Sequence, residues 1–315
     1  MKFKKVLIVD GVHPYLTDFL TNLEIEYDFI TDIDHAGYLA LPDEYSGLII
    51  RSRFVVDNQA IDAKKNLQFI IRLGSGVENI AVDYARSQGV ACYSTPAGNA
   101  PSVGEYCLTV LLAALKKITI GNIEVKNGSW QRKKNYGKDL CDLTIGIIGY
   151  GHTGKAFAKV VRNLAGKVYA YDRYKINIGD EYVEELDLDT LMAKCDVISL
   201  HVNYTPENYH FFNQKIIDKA EKPFIFINSS RGMAAKTMDL TAALQSKKIS
   251  FACLDVLEYE TPQLQLPEKV QWPKDLQQLA DMENVILTPH IAGQTADSEL
   301  RHAKLAAEII RSMNS

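Results

Sequence analysis

Cysteine and tryptophan are scarce in this chain, with five of the first and two of the second in 315 residues. Cys92, Cys107, Cys141, Cys195 and Cys253 are odd in number, widely spaced and form no C-x-x-C pair. That excludes a disulfide scaffold or a thiolate zinc framework and suits reduced thiols; all five read as core residues. Long apolar runs are also missing, none approaching the roughly 18 residues that span a bilayer. The opening "MKFKKVLIVD" offers four apolar residues before Asp10, short of the roughly 7–15 of a secretory segment, and reads as a first strand. Charge excess is absent too: a formal net charge of −4 leaves no electrostatic footprint for nucleic acid or membrane. A cytoplasmic protein with no metal, no nucleic-acid partner and no membrane partner is therefore expected.

What is present is an ordinary globular composition, 47% hydrophobic and 23% charged, in a chain long enough for two cores. Short β-branched runs alternate with helix-like stretches: "VLIVD", "YDFIT", "GLIIR", "FIIRL" and "VACYST", then "TIGIIG", "KVYAYD", "DVISLHV", "FIFINSS", "FACLDVL" and "NVILTPH". Continuous apolar strands between helices predict parallel sheets covered on both faces. Two such sets predict two doubly wound α/β domains. "SVGEYCLTVLLAALKKI", Ser102 to Ile118, reads as a long buried helix with a serine cap separating them. The amphipathic stretch from Thr295 follows the last strand and is expected to cross back to the first domain.

Gly149, Gly151 and Gly154 form G-x-G-x-x-G between an apolar strand and a helical stretch, and the next strand ends in Asp172, 18 residues after Gly154. The first glycine permits the turn, the second a close backbone approach to a pyrophosphate, and the third tight helix–strand packing. The backbone of His152 and Thr153 is then expected to face phosphates. Asp172 would bond a ribose diol and repel a 2′-phosphate, favouring NAD, with Arg173 beside it softening that choice. The bland alternative is a tight turn without a ligand.

Strands of the second set run into "NSSRG", "LDVLEYE" and "LTPH", so Arg231, Asp255, Glu260 and His290 fall at the carboxyl edge that also carries the glycine loop. These types suit hydride transfer to or from a 2-hydroxy or 2-keto acid. Histidine titrates near neutrality and serves as acid or base, a carboxylate such as Glu260 fixes its tautomer, and the Arg231 fork suits a substrate carboxylate. Asp255 either caps a loop or meets the nicotinamide end of the cofactor.

The stretches "RLGSGVENI", "TPAGNAPSVGE", "GIIGYGHTG", "NSSRG", "LDVLEYE" and "TPHIAGQT" resemble the D-2-hydroxyacid dehydrogenase family over essentially the whole chain. The resemblance implies a flavodoxin-like substrate domain at 1–98 plus 291–315 and a Rossmann NAD-binding domain at 99–290. It makes Arg231, Glu260 and His290 the catalytic set. It adds cofactor contacts at Val202, Ser229, Ser230, Asp255, Ala292 and Gly293, and a homodimer built on the nucleotide domains. Ser75 and Gly76, in a loop whose glycines let backbone N–H groups approach an anion, are implied to bind the substrate carboxylate, with Asn99 near the substrate.

"NGSWQRKKNYGKDL" carries the only three adjacent basic residues, Arg132, Lys133 and Lys134. On surface grounds they read as a solvated helix end, but the segment is similar to one in D-3-phosphoglycerate dehydrogenases, as is "IIRSRF" with Arg51 and Arg53. The resemblance therefore implies oxidation of 3-phosphoglycerate, with Arg51 and Arg132 on the phosphate. Hydroxypyruvate/glyoxylate reductase, D-lactate dehydrogenase and an NAD-sensing corepressor-like binder are the alternatives. Departures from the family pattern include Glu78, Ala81 and Asn203, and extra material at "LQLPEKVQWPKDLQQL", read by default as a surface loop. Feedback through the C-terminal regulatory domain of some phosphoglycerate dehydrogenases is not expected.

Overall fold

The computed structural model describes residues 3–314. Its chain divides into two compact units: unit 1 holds the chain up to Asn99, Thr261–Gln265 and the stretch from Gln294 on, and unit 2 holds Ala100–Glu260 and Leu266–Gly293. Relative to the boundaries read from the sequence, the first crossing lies one residue later and the second three residues later, and Thr261–Gln265 joins unit 1.

Unit 1 contains β1 (Lys5–Ile8), α1 (Pro14–Asn22), β2 (Glu26–Phe29), α2 (His35–Ala40), β3 (Gly47–Ile50), α3 (Asn58–Asp62), β4 (Phe69–Arg72), α4 (Val82–Ser87) and β5 (Ala91–Ser94). The sheet runs β2-β1-β3-β4-β5 and every pair is parallel, a flavodoxin-like order whose direction reverses between β1 and β3. Burial of all four residues of β3 follows from helices on both faces. One face packs around Leu7, Tyr38, Leu48 and Ile70, the other around Ile8, Leu16, Phe69 and Ala306. The terminal helix, Ala296–Asn314, covers the second face against α1.

Unit 2 contains α5 (Ala100–Leu115), α6 (Ile118–Lys126), β6 (Thr144–Ile148), α7 (His152–Val161), β7 (Lys167–Tyr171), β8 (Glu184–Glu185), α8 (Leu188–Lys194), β9 (Val197–Leu200), α9 (Gln214–Ile217), β10 (Phe224–Asn228), α10 (Thr237–Gln245), β11 (Ile249–Leu254), α11 (Lys274–Ala280) and β12 (Val285–Leu287). The terminal helix of unit 1 is then α12 (Ala296–Asn314). The unit 2 sheet runs β8-β7-β6-β9-β10-β11-β12, all parallel. This is a Rossmann order extended by one strand, with its switch point between β6 and β9.

Two expectations need correction. Ser102 does not cap the long helix: α5 starts at Ala100, and Ser102 is buried in its first turn. Pro101 fits that first turn because no intrahelical donor is needed there. The helix also stops before Ile118, because Lys117 takes a left-handed φ of 51° and α6 begins after it. Gly104 lets α5 meet α7 backbone to backbone; a Cβ there would lie 2.8 Å from the Ala156 carbonyl carbon. The second correction is Cys141, which is exposed, and Cys92, which is half-buried; only Cys107, Cys195 and Cys253 are core thiols.

Candidate active site

The glycine loop lies at the switch point of unit 2. Gly149 has φ 93° and donates its N–H to the Tyr171 carbonyl at 2.7 Å. A Cβ on it would stand 2.4 Å from the His201 carbonyl oxygen, so β6 and β9 can end this close together only with glycine here. Gly154 is tighter still, its Cβ position falling 2.1 Å from the Gly149 carbonyl oxygen. Gly151 differs: no atom lies within 4 Å of a Cβ built on it, and it begins α7 without any side-chain cap. The open backbone of Gly151, His152 and Thr153 at an uncapped helix start is suited to an anion.

Asp172, just past β7, accepts from the Tyr150 N–H at 2.8 Å and from those of Tyr174 and Lys175 at 3.0 and 3.2 Å. A carboxylate has about four acceptor sites; Oδ1 takes the N–H groups of Tyr174 and Lys175 and Oδ2 that of Tyr150, so Asp172 braces the loop and keeps acceptor capacity on Oδ2 for a diol. Arg173 points away, donating to the Glu207 carbonyl at 3.3 Å. Sequence reasoning missed His201. Its ring is buried, stacks on Phe157 and joins the hydroxyls of Ser199 at 2.8 Å and Thr153 at 3.3 Å. Burial pushes its pKa down to about 3, so the ring is a neutral strut under the loop. Its only sequence signal was a histidine inside an otherwise apolar strand end.

Arg231 is set by the turn after β10. Asn228 accepts from both the N–H and the hydroxyl of Ser230, at 3.0 and 2.7 Å, and donates from Nδ2 to the Arg231 carbonyl at 3.2 Å. Arg231 itself donates to the Ser230 carbonyl at 2.7 Å, and Ser229 meets Cys107 Sγ at 3.1 Å. Gly232 presses on the next loop, since a Cβ there would lie 2.0 Å from the Leu257 carbonyl. The Arg231 turn and the loop bearing Glu260 are therefore locked together.

His290 Nδ1 lies 2.7 Å from Glu260 Oε2, and Glu260 Oε1 accepts from the Leu257 N–H at 2.5 Å. The Glu260 carboxylate accepts a hydrogen bond from Nδ1–H, which leaves Nε2 as the nitrogen available for chemistry. His290 has a left-handed φ of 55°, an uncommon conformation for a side-chain-bearing residue. Asp255 explains how it is held. That residue is 1% exposed, and its carboxylate accepts from the N–H groups of Ile291 and Ala292 and from the Thr288 hydroxyl. Its carbonyl takes the His290 N–H at 2.9 Å. Of the two readings of Asp255, loop capping is what these bonds describe. Tyr106, also missed, bonds Thr288 Oγ1 at 2.5 Å and extends the network into α5. Val202 is half-buried after β9, and Ala292 and Gly293 follow the histidine in the same loop.

In unit 1 the Ser75 hydroxyl donates to Asn99 Oδ1 at 2.8 Å, bringing together two of the residues assigned to the substrate; Gly76 follows in the same loop after β4. Arg51, after β3, donates from Nη1 to Glu299 at 3.1 Å and from Nη2 to Gln294 at 2.8 Å. Buried His302 of α12 bonds Thr95 Oγ1 at 2.7 Å. Burial, then the charges of Arg51, Arg72 and Arg301, push its pKa down to about 4. Arg72 donates from Nε to the Arg51 carbonyl and Arg301 from Nε to the Gly98 carbonyl, two arginines that the sequence alone did not bring to this region. Arg132 lies in unit 2, exposed in a turn after α6 rather than at a helix end, and Lys134 there pairs with Glu124 at 2.8 Å. The extra material is not a plain surface loop either: α11 within it buries Leu276 and Leu279 in the core.

Comparison with known proteins decides the family. The profile described as "D-isomer specific 2-hydroxyacid dehydrogenase, NAD binding domain" matches residues 108–292. The chain belongs to the D-isomer specific 2-hydroxyacid dehydrogenases. As such it is an NAD-dependent oxidoreductase. The chain is 36% identical over 298 residues to the hydroxypyruvate reductase of Thermotoga maritima, covering 94% of each chain. It is 32% identical over 314 residues to the D-3-phosphoglycerate dehydrogenase of Archaeoglobus fulgidus, covering 98% of this chain and 57% of that one. The chain thus spans little more than half the length of the phosphoglycerate dehydrogenases it matches. Among solved structures, the D-lactate dehydrogenase of Aquifex aeolicus, complexed with NAD and lactic acid, aligns with a TM-score of 0.82 at 25% identity, covering 98% of this chain and 95% of that one. The residues around the glycine loop fit the dinucleotide: open backbone at Gly151, an uncapped α7 and the acceptors of Asp172.

Proposed function

We propose that the enzyme oxidises 3-phospho-D-glycerate to 3-phosphohydroxypyruvate. The observation that carries the chemistry is the His290–Glu260 pair, which leaves Nε2 as the working nitrogen. In the oxidation Nε2 accepts the hydroxyl proton, and Glu260 stabilises the imidazolium that forms. Arg231 holds the substrate carboxylate and polarises the oxygen at C2. NAD, when bound, would supply the hydride acceptor; the N–H groups of Gly151, His152 and Thr153 would hold its pyrophosphate and Asp172 a ribose diol, with Val202, Ser229, Ser230, Ala292 and Gly293 as further proposed contacts. Asp255 keeps a cofactor role only through acceptor capacity left after its loop bonds.

The phosphorylated substrate is supported by the guanidinium of Arg51 in unit 1, whose carbonyl Arg72 holds; there Ser75, Gly76 and Asn99 are the proposed carboxylate-loop contacts and Arg51 the phosphate contact. Arg132 is proposed as a second phosphate contact on the strength of the resemblance alone. An unphosphorylated acid, glyoxylate or hydroxypyruvate, is the second reading; it is favoured by the pairing of Arg51 with Glu299. We propose a cytoplasmic location and a homodimer. The dimer is supported by α6, which buries none of its residues, and by exposed Ile118, Ile123, Val125, Trp130 and Tyr136 on and after it; light scattering tests it.

The substrate test is NADH oxidation by the purified protein on 3-phosphohydroxypyruvate, hydroxypyruvate and glyoxylate. A preference of about a hundredfold for the phosphorylated acid, about 2.7 kcal/mol of transition-state binding, is expected. Equal or better turnover of the unphosphorylated acids would transfer the assignment to the second reading.

A further inference from the structure

Arg51 is the one residue of the proposed phosphate contacts whose surroundings are built. Its N–H donates to Asp10 Oδ2 at 2.6 Å, and its carbonyl accepts from Arg72 Nε and Asn79 Nδ2, each at 3.2 Å. The backbone from which its side chain departs is therefore fixed at the switch point of the unit 1 sheet. A guanidinium binds a phosphate best through its paired N–H groups. Here those groups are engaged inside the chain, Nη1 by Glu299 at 3.1 Å and Nη2 by Gln294 at 2.8 Å.

The two acceptors are presented as firmly as the arginine. Thr295 and Ser298 cap α12 reciprocally: the Thr295 N–H donates to Ser298 Oγ at 3.1 Å and the Ser298 N–H to Thr295 Oγ1 at 3.0 Å. That arrangement fixes the entry of the helix. Gln294 immediately precedes this cap, and Glu299 follows it in the first turn, so both are held on the Arg51 side of the helix start.

We infer that Glu299 is a selectivity residue, an internal anion that competes for Arg51 and weights the enzyme against substrates carrying a phosphate tail. A phosphate reaching Arg51 must displace a carboxylate and then stand beside it as a like charge. An unphosphorylated acid does neither. The Glu299 side chain is 45% exposed, and exposed ion pairs are weak, so Glu299 acts as a modest bias rather than a block. This inference rests on the proposed phosphate role of Arg51, and it names what tips the balance between the two substrate readings.

The test uses the full chain and its Glu299→Gln variant, with NADH-dependent reduction of 3-phosphohydroxypyruvate and hydroxypyruvate. The ratio of kcat/KM for the phosphorylated acid to that for hydroxypyruvate is expected to rise about tenfold in E299Q, chiefly through KM. A ratio within about twofold of wild type overturns the inference. If wild type already prefers the phosphorylated acid by about a hundredfold and E299Q does not move the ratio, the substrate assignment stands and the role of Glu299 falls. If wild type prefers hydroxypyruvate and E299Q raises the ratio, Glu299 stands and the assignment falls. Competitive inhibition by inorganic phosphate, with hydroxypyruvate as substrate, decides the case in which the phosphorylated acid is not turned over. A lower inhibition constant in E299Q supports the role, and an unchanged one removes it.

Discussion

Asp255 holds the loop of His290 from beneath: its carboxylate accepts the N–H groups of Ile291 and Ala292 at 2.9 and 2.7 Å while its carbonyl takes that of His290 at 2.9 Å. A left-handed histidine costs on the order of 1 kcal/mol or more. Those two N–H groups and the Thr288 hydroxyl, all on one buried carboxylate, offset that cost. Asp255→Asn replaces one acceptor oxygen with a donor facing a donor. The expected result is a fall in kcat of about a hundredfold, about 2.7 kcal/mol, with a lowered melting temperature. Unchanged kinetics would show that the loop holds itself.

Glu260 acts on the other ring nitrogen. Glu260→Gln keeps an oxygen for the Nδ1 proton but loses the negative charge that stabilises the imidazolium. A fall in kcat of about 10- to 100-fold is expected, against about 10²–10⁴-fold for His290→Gln, which removes the acid/base itself. Steady-state kinetics on both variants checks the order; an equal or larger loss in E260Q would mean that Glu260 does more than hold the ring and stabilise its charge.

The glycines of the loop separate by readout. Gly154→Ala drives a Cβ to 2.1 Å from backbone and should cost about 1–3 kcal/mol of stability, seen as a lower melting temperature without cofactor. Gly151→Ala meets nothing within 4 Å, so the melting temperature should hold while NADH binding, followed by its fluorescence, weakens about tenfold or more. Loss of stability in Gly151→Ala would contradict the open space at that position.

These residues also mark what a reader of the sequence can and cannot see. Strands such as Phe224–Asn228 are legible because both faces are buried and every residue is apolar or turn-forming. β8 is not, being two exposed glutamates whose only claim to be a strand is pairing with β7. The glycine loop is legible because each glycine answers a local demand of the backbone. Glu260 and His290 are legible as residues at one sheet edge, but their 2.7 Å contact depends on how two loops fold back. His201, Tyr106, Arg72 and Arg301 were invisible for a different reason: each owes its place to partners far away in the chain, such as Tyr106 with Thr288. The break before Ile118 hides because nothing in "LKKIT" announces a left-handed lysine.

The thiols offer a test that needs no substrate. Cys107, Cys195 and Cys253 are buried, and burial raises their pKa values, as it does for half-buried Cys92. The thiolate is the reactive form, so only exposed Cys141 should react quickly with an aromatic disulfide reagent in the native protein. One fast equivalent is expected, abolished by Cys141→Ser, with the remainder appearing on denaturation. A second fast equivalent would mean that half-buried Cys92 of unit 1 is reachable in the native protein, and three or more that unit 2 opens its core readily.

Acid stability follows from the two buried histidines. In the unfolded chain each titrates near 6.5, whereas burial holds His302 at about 4 and His201 at about 3 in the fold. Well above about pH 6.5 both are neutral in both states and contribute no slope. Between about pH 6.5 and about 4 the unfolded chain binds protons that the folded chain refuses, so stability falls as pH falls. Each histidine contributes at most about 1.4 kcal/mol per pH unit within its window. For His302 the neighbouring Arg51, Arg72 and Arg301 reinforce the effect of burial, and Glu299 stands on the same helix beside Arg51. Urea unfolding at about pH 7 and about pH 5 should therefore show a loss in the wild type that is smaller by about 1–2 kcal/mol in His302→Gln, because glutamine does not titrate. The same loss in both proteins would mean that His302 is not kept neutral in the fold, either because its burial gives way on protonation or because the arginines relax away from it.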